Sequence, residues 1–198
     1  MLSLVYTFVG ILLIQFALSA PAEAATKSYN LPKFSRIEAN GRLQIDIVVG
    51  DSQSIRLSGE DAAIENLFLR VVEDTLEIDR KPNSNWQWPW KDDEVALQIT
   101  VPTLLSIDAA GATKGKVSQI SGSEFEISVS GTADVSLAGK VDELSLDLSG
   151  AGKIQAGELE AKRVIADIAG AGEVEVHATQ LLDADVSGVG NLNFRGKP

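Results

Sequence analysis

The chain has no cysteine, and its one histidine is His177. A Cys–His nucleophilic pair and a histidine-rich zinc centre are therefore excluded, as are a disulfide framework and a thiol for lipid attachment. No Gly-x-Ser-x-Gly elbow occurs. Positive charge is also scarce. Seventeen Lys and Arg stand against 28 Asp and Glu, giving a formal net charge of −11 and a pI of about 4.5. Such a surface argues against nucleic acid, whose binding depends on cationic side chains neutralising phosphates. It also weakens the case for contact with anionic membranes. Apolar residues are plentiful: 44% of 198 residues is too many for a disordered chain and enough for one domain with a substantial core.

The apolar run from Leu4 to Leu18 is too short for a comfortable membrane span. Ala22-Glu23-Ala24 places small residues at the two positions a signal peptidase reads, so residues 1–24 are expected to be a signal peptide cleaved before Ala25. No Lys or Arg precedes the run, which leaves an uncleaved N-terminal anchor as the alternative. Residues 25–33 read as a flexible lead-in, and residues 34–198 as a single domain.

One short pattern is written five times between Leu104 and Gly196. Its anchors are Gly111, Gly131, Gly150, Gly170 and Gly188, spaced by 20, 19, 20 and 18 residues. Before each anchor, apolar residues alternate: Leu105, Ile107, Ala109; Phe125, Ile127, Val129; Leu144, Leu146, Leu148; Val164, Ala166, Ile168; Leu182, Ala184, Val186. After four anchors the alternation resumes, as in Val135 and Leu137 or Val174 and Val176. A period of two, glycine corners and a fixed repeat predict stacked β-coils, each too small to bury its own apolar side chains. The paired glycines at 150/152, 170/172 and 188/190 lack a following helix pattern, so they read as corners rather than a phosphate cradle.

The outward positions repeat too. Asp108, Ser128, Asp147, Asp167 and Asp185 each stand three before their anchor, and Asp147, Asp167 and Asp185 are expected to form a carboxylate column, with strands ~4.8 Å apart. In water, neighbouring charges at that spacing repel by only about 0.8 kcal/mol, so a solvated outer face tolerates them. The functional alternative is a weak ladder for divalent cations. Outside the inward set, His177 reads as a surface residue. Adjacent acids such as Asp92-Asp93-Glu94 and Asp142-Glu143 read as solvated turns, although paired carboxylates can cleave glycosidic bonds when held across a cleft.

Upstream, Leu43–Leu57 reads as a hairpin turning at Gly50-Asp51, and Asp61 is placed to cap a short helix through Asn66. Strands are expected around Leu69–Val71 and Leu76–Ile78, and from Val95 to Val101, where Pro102 ends the run. The long loop between them carries all three tryptophans, Trp86, Trp88 and Trp90. Their alternation puts the rings on one side of an extended segment, either folded back as a lid or presented as a platform for a sugar, a protein partner or a membrane interface.

Phe34-x-x-Ile37, Asn40-Gly41-Arg42-Leu43, Leu76-x-Ile78, Val101-Pro102-x-Leu104 and the repeated Ser-Gly-Ala/Thr-Gly/Ala corners resemble the DUF2807 family, the autotransporter adhesin head or GIN domain. The resemblance spans about residues 34–196. It implies an exported, bacterial-envelope, right-handed β-solenoid with no established enzyme activity. The expected fold is thus all-β, a right-handed single-stranded β-helix with a more irregular N-terminal β part. The leading functional expectation is a non-catalytic adhesin-like module of the periplasm or cell surface that binds an envelope protein or glycan and needs no cofactor. A carbohydrate-active β-helix enzyme using acidic residues, and an envelope-stress accessory acting through protein contacts, are the alternatives.

Overall fold

Two residues separate Leu148 from Ala151, yet Ala151 lies beside Thr132, where that same strand began. Parallel neighbours normally need a crossover of a dozen residues or more. Here the strand supplies the crossover by bending through a full circuit, because 17 residues laid straight would end about 55 Å away. This closure recurs along the computed structural model, which describes residues 25–81 and 95–198.

The elements are β1 (Ala25–Tyr29), β2 (Arg36–Val49), β3 (Ser54–Gly59), α1 (Asp61–Glu65), β4 (Leu67–Val72), β5 (Thr75–Arg80), β6 (Ala96–Val101), β7 (Ser106–Val129), β8 (Thr132–Leu148), β9 (Ala151–Ile168), β10 (Ala171–Val186) and β11 (Asn191–Gly196). All the strands belong to one sheet, with main path β1-β3-β6-β2-β7-β8-β9-β10-β11, and from β2 through β11 along this path the neighbours on the repeat side are parallel. β7 runs for 24 residues and passes over its own beginning, the Glu126 and Ser130 amides donating to the Leu105 and Ala109 carbonyls at 2.9 and 3.0 Å. The ladders shift register between Val117 and Ile120, between Ser136 and Ala138, and between Val176 and His177. An extra residue on one strand bends it, so these are where the circuit turns.

Alternation then builds columns rather than a layer. Ile37, Ile107, Ile127, Leu146 and Ala166 lie one above another, as do Ala39, Ala109, Val129, Leu148 and Ile168, and all ten are buried. The opposite wall stacks Ile47, Val117 and Leu137, and, past the register shift, Ala156 and Val176. In the last turn, inward positions Ala184, Val186 and Phe194 are exposed because no turn follows among the described residues.

The five glycine anchors form a physical column, and the stack has a sixth member that the spacing did not reveal. Gly41 pairs with Gly111, so β2 is the first turn. A Cβ on Gly111, Gly131, Gly150, Gly170 or Gly188 would come within 2.5, 2.0, 1.8, 1.9 or 2.3 Å of the carbonyl oxygen of the glycine beneath. Gly41 and Gly111 also hold φ of +113° and +115°, which side chains disfavour. The carbonyls of Gly131, Gly150 and Gly170 accept from Ala151, Ala171 and Val189 at 2.8 to 3.0 Å, tying each corner to the next.

The N-terminal part departs from expectation in three places. Ala25–Tyr29 is not a loose lead-in but a strand, antiparallel to β3. β2 and β3 are not a hairpin: β6 lies between them, parallel to β2 and antiparallel to β3. The expected helix exists, but its N-cap is Glu60 rather than Asp61, with no side-chain cap bond. The β4–β5 hairpin is as expected and packs its Leu76 and Ile78 onto β2. The leader at residues 1–24 and the tryptophan segment lie outside the described residues.

Among the described residues two buried side-chain oxygens are unmatched, Gln53 Oε1 near the surface and Thr113 Oγ1 in the core. Thr113 is 6% exposed, and its Oγ1 has no hydrogen-bond partner among the described residues. It borders a cavity of about 20 Å³ otherwise lined by apolar side chains and Gly115.

Two outcomes follow for stability. Gly150→Ala forces a Cβ against backbone that cannot swing aside, and is expected to lose more than about 3 kcal/mol by urea unfolding, the range of severe core overpacking. Gly50→Ala meets only the Thr100 methyl at 3.4 Å and is the mild control; equal losses would contradict the column. Thr113→Val keeps the shape, removes the orphan hydroxyl and is expected to gain about 1 kcal/mol. A loss in Thr113→Val would mean the hydroxyl is satisfied.

Candidate functional site

Because inward and outward positions alternate in register, any outward residue type that recurs becomes a row. Glu77, Glu38 and Asp108 pair across three strands; Ser128, Asp147, Asp167 and Asp185 continue the row down the stack. The expected column of Asp147, Asp167 and Asp185 is therefore present as adjacent register partners, extended by acids from the N-terminal part. That extension was invisible in the spacing, since about 70 residues separate Gly41 from Gly111.

The row's electrostatics are legible at Asp108. Its carboxyl is held above the usual carboxylate range, first by burial and then by the charges of Glu38, Glu126 and Asp147. Local donors moderate the upper end: the Asn40 amide donates to Glu38 Oε1 at 3.1 Å and to Asp79 Oδ1 at 2.8 Å, and Arg70 bonds Glu77. Among the described residues, no three acidic or histidine side chains converge so as to hold a metal ion. The carboxylates stand along a line rather than round a point.

Away from this row, charges of opposite sign meet between turns. Lys140 reaches Glu160 at 2.7 Å, Lys162 reaches Asp142 at 2.7 Å, Arg163 reaches Glu143 at 2.8 Å, and Lys153 reaches Glu173 at 3.2 Å. Asp142 and Glu143, the adjacent acids, are thus each tied to the next turn's cation. They make inter-turn ties and not a pair set across a cleft. His177 is half-buried and aligned with Glu160 and Arg195. Asp92, Asp93 and Glu94, like Trp86, Trp88 and Trp90, fall outside the described residues.

The grooves between these side chains are open, and those along Glu143 are mostly polar. The largest described, about 460 Å³, runs past Asp142, Glu143, Lys162, Arg163 and Gln180. Sequence reasoning passed over the outer face of β4, where Phe68 and Val72 are exposed and Arg70 lies 5.6 Å from the Phe68 ring. Their alternation with inward Leu67, Leu69 and Val71 was the available signal.

Residues 33–198 match the family described as "Putative auto-transporter adhesin, head GIN domain". Among solved structures, the chain is similar to one described as a putative adhesin from Bacteroides fragilis NCTC 9343. The two share 23% identity over 90% of this chain and 91% of that one, with a TM-score of 0.70. A second, described as a putative adhesin from Parabacteroides merdae ATCC 43184, shares 15% identity over 87% of this chain and 96% of that one, at a TM-score of 0.50. These likenesses bear on the fold. Among curated proteins, none matches the chain.

Asp108 offers a test of the acidic row. Its raised pKa means that the folded state binds this proton more tightly than the unfolded state does, so its contribution falls as pH rises from the ordinary carboxylate value through the raised one. Asp108→Asn is therefore expected to raise Tm at pH 7, with the gain shrinking as pH falls through the carboxylate range. A Tm difference that grows on acidification would overturn this.

Proposed function

We propose, on the premise that this chain belongs to the GIN-domain family of auto-transporter adhesin heads (DUF2807), that it is an exported, non-catalytic binding module of the bacterial envelope. It acts in the periplasm or at the cell surface as a right-handed β-solenoid, with the leader removed before Ala25. Its partner is an envelope protein or glycan met across a broad face. Support comes from the family match over residues 33–198 and from solved relatives described as putative adhesins.

The observation that carries the reading is the shape of the stack. Small-molecule sites are concave and mostly apolar. The described surface instead offers rows of outward side chains with open grooves between them, some mostly polar and some mostly apolar, which suit a macromolecule contacted at many points. Affinity in such contacts concentrates in a few aromatic anchors. Trp86, Trp88 and Trp90 are the proposed anchors, on the sequence grounds that they alternate beside Pro89 in a segment joining β5 to β6.

A glycan-array and envelope-extract binding screen compares the native chain with a Trp86→Ala/Trp88→Ala/Trp90→Ala variant. The expected result is a specific signal that weakens about tenfold or more in the variant, the scale of losing one or two aromatic anchors. Equal binding by both proteins removes the tryptophans from the contact. Release of reducing or unsaturated ends from a polysaccharide panel by the native chain would contradict the non-catalytic reading.

A further inference from the structure

The end of the stack differs from every other level. Ala166, Ile168, Val174 and Val176 are each no more than 2% exposed, covered by the turn that follows. Their counterparts one turn on are Ala184, Val186, Leu192 and Phe194. Of these Val186 is 41% and Phe194 57% exposed, and neighbouring Val189 is 88% exposed. Among the described residues β11 pairs with β10 alone and ends the sheet path, so no described main-chain group pairs with its outer edge. The opposite end of the stack is covered, as β6, β3 and β1 add successive strands beyond β2.

We propose that the open end binds the open end of a second copy of this chain, through antiparallel pairing of β11 with itself about a two-fold axis at Asn193. Three observations select that occupant. First, the surface is continuous with an interface the molecule already uses: the same inward columns are buried at each preceding level by a turn of like composition. A second copy's end brings that composition.

Second, the strand is self-complementary. In antiparallel pairing only registers with an even residue sum keep inward side chains facing inward. Centring on Asn193 pairs Asn191 through Arg195, five of the six residues of the strand. It sets Leu192 against Phe194 of the second copy and Phe194 against Leu192, two apolar cross-strand pairs on the inner face. On the outer face Asn193 meets Asn193, and Asn191 meets Arg195.

Third, the charge pattern permits it. Arg195 is the only charge on β11, and it is already tied to Glu175 and to Glu158 at 2.6 and 3.1 Å. In the proposed register no like charges oppose each other along the paired strand. Within β11 there is no lysine, proline or bulge of the kind that discourages edge pairing; Lys197 and Pro198 follow it, beyond the paired residues. The pairing is isologous, which closes at two copies.

Because the chain holds no cysteine, one introduced thiol reports the register without background. Asn193→Cys places two thiols opposite each other across the axis, at a Cα separation of about 4.5–5.5 Å that a disulfide spans. In Asn191→Cys the two thiols lie about 13 Å apart along the strands, beyond reach. Under mild oxidation of the full chain, Asn193→Cys is expected to convert to a disulfide-linked dimer at least tenfold faster than Asn191→Cys. Sedimentation of the native chain is expected to show mass rising with concentration to a plateau at two copies, and Phe194→Lys to hold it at one. Equal cross-linking of the two cysteine variants overturns the proposal. So does a native chain that stays monomeric, the result expected if another part of the chain covers the edge. Mass that grows past two copies, as in head-to-tail stacking, overturns it as well.

Discussion

Backbone lies directly on backbone at the glycine corners, and the rest of the molecule depends on that approach. With the carbonyl of one corner less than 3 Å from where the next corner's Cβ would sit, the turns cannot slip past one another by even one residue without placing a side chain in that gap. A one-residue slip would also turn every inward apolar side chain outward. The corner column and the apolar columns therefore specify the same register, by sterics and by burial. Agreement between independent local constraints is what gives a chain a single folded arrangement.

The same register decides what the surface can be. Once a turn repeats every 18 to 20 residues, each outward position becomes a line of neighbours about 4.8 Å apart. Where the repeats alternate Lys or Arg with Asp or Glu, as at Lys140 and Glu160 or Glu143 and Arg163, the line ties the turns together. Exposed pairs of this kind add little stability singly, and their main effect is on alignment. Where the repeats carry the same acid, as at Asp147, Asp167 and Asp185, the line stays unneutralised and gives one face a negative row. Asp108 sits where that row is crowded and partly desolvated, and its proton affinity records both effects.

Much of the stack was legible because period-two burial and glycine corners are local signals repeated at short range. Between Ile107 and Val176 the inward residues flanking each anchor, such as Ile127, Leu146 and Ile154, could be named from alternation, and the parallel arrangement followed from the repeat length; buried Val117, Ile120, Val141, Leu159 and Ala161, nearer the register shifts, could not. Three features were not legible. The first turn, at Gly41, was hidden because β3 to β6 are inserted before its partner at Gly111. The Leu43–Leu57 segment looked like a hairpin because Gly50-Asp51 is sound turn chemistry, but the strand that pairs with both arms, β6, comes from 40 residues downstream. Exposure at Val186 and Phe194 was masked by their inward spacing, since a pattern says which way a side chain points and not whether anything lies above it. Of the candidate site, the carboxylate column was visible as spacing, Asp108 included at three before Gly111, while its extension to Glu38 and Glu77 required the pairing partners.

Stacking of successive turns in parallel register is the claim on which the corners, the columns and the open end all rest. Backbone nuclear Overhauser contacts in the isotope-labelled chain test it without any substitution. The account predicts amide-to-α contacts linking the register partners Asp147 with Asp167 and Asp167 with Asp185, repeated along the strands with the same offset. Close α-to-α contacts between these segments, with partner numbers running in opposite directions, are the signature of antiparallel pairing and would contradict it.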